Sequence, residues 1–124
     1  MTNGQDMTLS RLNPGPRMSE AVTIGDTVFL AGQIPTTLTG DITVQTREAL
    51  AGIDEVMAEL GGSKADVASV QVWLTDMDDF QGMNAVWDEW LDKDNPPARA
   101  TCGVALARPG MRVEMVAIAR NPKS

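Results

Sequence analysis

Residues 111–120 read Met111-Arg112-Val113-Glu114-Met115-Val116-Ala117-Ile118-Ala119-Arg120. Both alternating registers of this run are apolar. Val113, Met115, Ala117 and Ala119 make one; Val116 and Ile118 make the other, interrupted by Glu114. A strand with one wet face carries polar residues on one register, so this strand is expected to be buried on both sides. Helices of the same chain can cover one face. The other must be covered too, and the simplest cover is another copy of the chain.

Working back from this strand, residues 98–107 read as a further strand. Arg108-Pro109-Gly110 lies between the two and predicts an antiparallel hairpin. Before it, Phe80, Met83, Val86, Trp87, Trp90 and Leu91 recur at helical spacing and predict an amphipathic helix. Asp76, Asp78 and Asp79 crowd its start, where side-chain oxygens cap free N–H groups, and Asn95-Pro96-Pro97 stops it. Residues 67–74 predict a strand with Ala68, Val70, Val72 and Leu74 on one side and Ser69, Gln71 and Trp73 on the other. An earlier helix runs from Asp41 to Leu60, with Leu50, Ile53, Met57 and Leu60 on one stripe and Gly61-Gly62 at its end. Gly25-Asp26 between residues 19–24 and 27–33 predicts a two-residue hairpin. Residues 1–17 read as a loose leader with a short edge strand at 8–12.

The order is therefore ββαβαββ: one α+β domain over residues 1–124, with about five strands, two helices on one sheet face, and a homo-oligomer covering the other.

Composition narrows the chemistry. Ten basic and 17 acidic residues in 124 give a net charge of −7, which opposes binding to nucleic acid. There is no histidine and no tyrosine, and Cys102 is the one cysteine. The commonest general base and metal ligand are missing, and no intrachain disulfide can form. These features, with no secretory signal or apolar membrane run, lead to the expectation of a cytoplasmic protein without membrane partners, metal or cofactor.

Few residues remain to carry chemistry. Arg99 either sits at a strand end as a surface cation or forks onto a substrate carboxylate. Glu114, inside an apolar strand, is either half of an ion pair with Arg99 across the predicted hairpin or an acid/base group holding a water. Cys102 reads as a small core residue, because without histidine no Cys–His pair exists. Trp87 and Trp90 read as core, Trp73 as an interface residue, and Gly32 as a point of close backbone approach.

The sequence resembles the RidA/YjgF family of imine/enamine deaminases, also labelled endoribonuclease L-PSP. The resemblance runs from about Arg17 to Ala119. It is carried by residues 25–35 (GDTVFLAGQIP), Gln45-Thr46, residues 74–80 (LTDMDDF) leading to Asn84, and Pro97-Ala98-Arg99 followed by Val113-Glu114-Met115. It implies a chorismate-mutase-like fold and a trimeric barrel, with a small-molecule carboxylate bound in clefts between subunits. It implies that Arg99 binds that carboxylate, that Glu114 positions the attacking water, and that Gly32 and Asn84 line the cleft. Three further cleft positions depart from the deaminase pattern: Met18 stands for a tyrosine, Ala31 for a serine and Thr101 for a cysteine. The implied function is hydrolytic deamination of small 2-imino or enamino acids. The alternative is a non-catalytic carboxylate-binding or interaction trimer, which the three departures favour. Ribonuclease activity is opposed by charge and by the missing histidine. Chorismate mutase activity rests on fold analogy alone, with only Arg17 or Arg112 to assist Arg99.

Overall fold

The computed structural model describes residues 7–124; the first part of the leader lies outside the described residues. Six strands and two helices follow in the order β1 (Ser10–Leu12), β2 (Ala21–Ile24), β3 (Thr27–Leu30), α1 (Ile42–Glu59), β4 (Val67–Leu74), α2 (Phe80–Trp90), β5 (Ala98–Gly103) and β6 (Val113–Arg120). The strands form one mixed sheet ordered β1-β2-β3-β6-β4-β5. The short strand expected within residues 8–12 is β1, paired with β2. No helix among the described residues is long and apolar enough to cross a membrane.

Local signals explain most elements. Ile24 pairs with Thr27 across Gly25-Asp26, and Gly25 has φ 58°. A positive φ at the first central residue is what a II′ hairpin turn requires. Asp41 caps α1 by accepting from Val44 N–H at 3.0 Å, and Gly61 just beyond the helix takes φ 85°. Leu50, Ile53 and Met57 of the expected stripe are buried against the sheet.

The register of β6 decides which side chains meet. Val113, Met115, Ala117 and Ala119 are buried beneath the helices with Val70, Val72 and Leu74. Glu114, Val116 and Ile118 alternate onto the opposite, uncovered face. That face also carries Phe29 beside Ile118, Gln71 beside Val116, and Trp73 beside Glu114. Phe29 remains 46% exposed and Ile118 36%. The doubly apolar run thus has one face in the core and one face bare.

Three expectations are corrected. Residues 98–107 and 111–120 do not form a hairpin. β5 ends at Gly103 and lies parallel to β4, with Arg99 opposite Val70, while β6 inserts between β3 and β4. The Arg108-Pro109-Gly110 turn belongs to a longer connection from one edge strand across β4. Ala68 is exposed rather than buried, because an irregularity between Val67 and Ser69 shifts the register there. Cys102 is exposed, not a core residue, because it shares the open-face register of Trp73.

Candidate active site

The residues singled out in the sequence fall into two groups, on opposite faces of the sheet. On the open face, β3 bends after Leu30 and rejoins β6 at Gln33. Gln33 N–H donates to Met115 O at 2.7 Å, and Met115 N–H donates back to Gln33 O at 3.0 Å. This lays Gly32 directly under the Glu114 side chain. A Cβ built on Gly32 would stand 3.1 Å from Glu114 Cδ and 3.4 Å from Cγ, and would overlap Oε2. The close approach expected at Gly32 is therefore with a carboxylate. Ala31 adjoins it, its N–H bonded to Glu20 O at 2.9 Å.

Glu114 is half-buried, and among the described residues no cation or hydrogen-bond donor pairs with it. Burial pushes its pKa above the ordinary glutamate value. It borders a cleft of about 590 Å³ lined also by Trp73, Cys102, Val104 and Leu106.

The second group faces the helices at the sheet edge. Arg99 and Thr101 are two residues apart on β5, so both side chains lie on the face of their partners Val70 and Val72. The Arg99 guanidinium carbon stands 5.0 Å from the Trp87 ring centroid and 5.9 Å from that of Phe80. Its Nη1 reaches Met83 Sδ at 4.0 Å. Arg47, Arg112 and Arg120 each have a carboxylate partner within 3.5 Å, and among the described residues Arg99 has none. Thr101 Oγ1 is buried with no hydrogen-bond partner. Asn84 stands four residues after Phe80 and three before Trp87, which places it on the helix stripe that Arg99 lies against.

The Arg99–Glu114 ion pair considered in the sequence is therefore absent. β4 separates their strands, and the pleat aims the two side chains to opposite sides of the sheet. Met18, on the connection between β1 and β2, is 65% exposed and no hydrogen bond or ring contact ties its side chain to either group. The aromatic bed beneath Arg99 escaped sequence reading. Phe80, Met83 and Trp87 were visible as an apolar stripe, but only the parallel pairing of β5 with β4 puts an arginine over it.

The sequence profile of the endoribonuclease L-PSP family matches residues 8–121. A RutC family protein from Haemophilus influenzae is 40% identical over 114 residues, 91% of this chain and 98% of that protein. The RutC family protein YoaB from Escherichia coli is 33% identical over 113 residues, again 91% and 98% of the two chains. The crystal structure of a YjgF protein family member from Neisseria meningitidis matches with a TM-score of 0.90 at 39% identity, covering 95% of this chain and 98% of that one. Another, of a YjgF/YER057c/UK114 family member from Mycobacterium tuberculosis, matches at 0.81 and 29% identity, covering 91% and 99%. Sequence profile, relatives and sheet topology agree that this chain belongs to the RidA/YjgF family, the endoribonuclease L-PSP family of the matching profile.

Proposed function

We propose that the chain is a hydrolytic deaminase of small 2-imino acids, working as a homotrimer whose sites lie between subunits. One observation carries the reading. Among the described residues, the chain holds a half-buried arginine without an anion and a half-buried carboxylate without a cation, on opposite faces of one sheet. Unpaired charges in such places are costly unless a ligand or a second chain completes them. The sheet's bare apolar face, with Phe29, Val116 and Ile118, and its unpaired edge at β5 supply surfaces through which Arg99 of one copy could reach Glu114 of the next.

In this reading Arg99 forks onto the substrate carboxylate and so places the C=N carbon. Thr101 Oγ1 and Asn84 offer further polar contacts on the same side. Glu114, beside the flat backbone of Gly32, holds a water against the carbon. As the water oxygen bonds to that carbon, Glu114 takes its proton. The proton passes to the nitrogen; as the C–N bond breaks, the new hydroxyl gives its own proton back to Glu114, and a 2-oxo acid and ammonia leave, the ammonia carrying that proton off as ammonium. A protonated imine is already electrophilic, so positioning and one base suffice. Burial raises the glutamate's pKa, and a carboxylate with a raised pKa is a stronger base. The family's nuclease label is not carried over, because a net charge of −7 repels a polyanion.

Ammonia release from freshly generated 2-imino acids tests the reading. The wild-type chain accelerates it and Arg99→Ala does not. If neither accelerates release while small carboxylates still bind through Arg99, the chain is a binding module. The departures at Met18, Ala31 and Thr101 are the features that favour that second reading.

A further inference from the structure

We infer that Trp87, seconded by Phe80, is a positioning residue that holds Arg99 as a carboxylate receptor; the inference rests on the role proposed above for Arg99. Among the described residues, the ring and polar contacts of the guanidinium are soft: two aromatic rings and a thioether. A ring face attracts a cation through its quadrupole without accepting its N–H groups as a carboxylate would. Stacking therefore fixes the guanidinium and leaves its charge and its fork of donors for an incoming anion. A carboxylate partner in the same place would neutralise the charge and occupy the fork.

Three observations converge on this. Trp87 is 5% exposed, so its ring is locked by core packing and provides a rigid surface. Its ring also stands at 5.3 Å from that of Trp90, whose indole N–H is tied to Asp54 at 3.0 Å. The bed under Arg99 is thus braced from α1. One repeat along β5, on the same face, Thr101 Oγ1 is buried and lacks a partner. Two adjacent groups in want of an acceptor or donor, over a braced ring, suit one small anion.

The test uses pyruvate, the 2-oxo acid such a reaction would leave, as a stable probe. Calorimetry on folded protein gives its affinity, and NMR gives the Arg99 Nε–H resonance. Trp87→Leu is expected to weaken pyruvate binding by about tenfold, in the range of a partly desolvated cation–π contact. Trp87→Phe, which keeps a ring face, is expected to stay within about threefold of the wild type. The ring-current shift of the Arg99 Nε–H is expected to be lost in Trp87→Leu and largely kept in Trp87→Phe. A purely structural tryptophan would lower thermal stability in Trp87→Leu yet leave pyruvate affinity in place, and that result would overturn the inference. Should Trp87→Leu not fold, the decision passes to a chain carrying Trp73→Phe and Trp90→Phe, in which Trp87 alone emits. Its emission is expected to respond to pyruvate with Arg99 present and not with Arg99→Ala; no difference between the two overturns the inference. Failure of the wild type to bind pyruvate overturns it as well. Pyruvate binding that depends on Trp87 without ammonia release supports it, while removing the deaminase reading.

Discussion

Replacing Gly32 with alanine is expected to separate turnover from stability. Gly32 is outside the left-handed region, so an alanine meets no backbone strain there. The added methyl would instead meet the end of the Glu114 side chain, 3.1 Å from Cδ and overlapping Oε2. Carbon atoms prefer about 3.5–4.0 Å, so the carboxylate has to swing by roughly 1 Å. Such a swing of a flexible, half-exposed side chain costs about 0.5–1.5 kcal/mol. Alanine returns about 0.4–1 kcal/mol by restricting the unfolded chain. Net stability should therefore change by less than about 1 kcal/mol. A misplacement of about 1 Å at a group that holds the attacking water can cost roughly 100-fold in rate. The assay pairs ammonia release from 2-imino acids with urea denaturation. A large drop in turnover with an unchanged midpoint is the expected result. Full turnover in a folded Gly32→Ala chain would refute the placement of Glu114 at the reacting carbon.

The other predictions concern charge and backbone. Arg99→Ala should abolish carboxylate binding, and Arg99→Lys should rescue it poorly, as calorimetry with pyruvate will show, because lysine keeps charge but loses the fork. Glu114→Gln should spare carboxylate binding and slow turnover by ~100-fold or more. Because burial raises the folded-state pKa of Glu114, its relative contribution to stability is full below the unfolded value and is lost as pH rises through the folded one. Glu114→Gln is thus expected to melt no lower than wild type at pH 7, and the wild type should gain on it as pH falls. Glu48 accepts from the Thr37 hydroxyl and N–H, then from those of Thr36, which lowers its pKa from 4.5 to about 2. Its contribution is present above 4.5 and lost as pH falls through about 2, so the stability gap between wild type and Glu48→Gln should close across that window. Gly110 has φ 89°, and a Cβ there would stand 2.7 Å from Leu38 O. Gly110→Ala should cost about 1–3 kcal/mol in urea denaturation.

Local patterns in the sequence predicted the helices, the β2–β3 hairpin and the buried register of β6, because periodicity and turn chemistry act over a few residues. Strand order is not local. The Arg108-Pro109-Gly110 turn suggested that β5 and β6 pair, yet after α2 the chain returns parallel to β4, and β6 enters between β3 and β4. That one difference changes the site. A hairpin would have put Arg99 and Glu114 on neighbouring strands as a structural pair; the observed order puts them on opposite faces, each without an ion-pair partner among the described residues. It also explains Cys102, which one step along β5 from Thr101 turns to the open face beside Trp73. Gly32 was legible as a close approach, but not what approaches it, because the bend that carries Gln33 onto Met115 has no signature in the sequence.

In the proposed reaction Arg99 of one subunit works with Glu114 of another. Subunit mixing tests it most directly. Arg99→Ala and Glu114→Gln chains are unfolded, combined in equal amounts and refolded together, and ammonia release is measured. In a cyclic trimer with one shared site per interface, random mixing leaves about a quarter of the sites with both residues intact. The mixture is expected to recover about a quarter of wild-type activity, from two parents that are each nearly inactive. Activity no greater than the average of the two parents would contradict it.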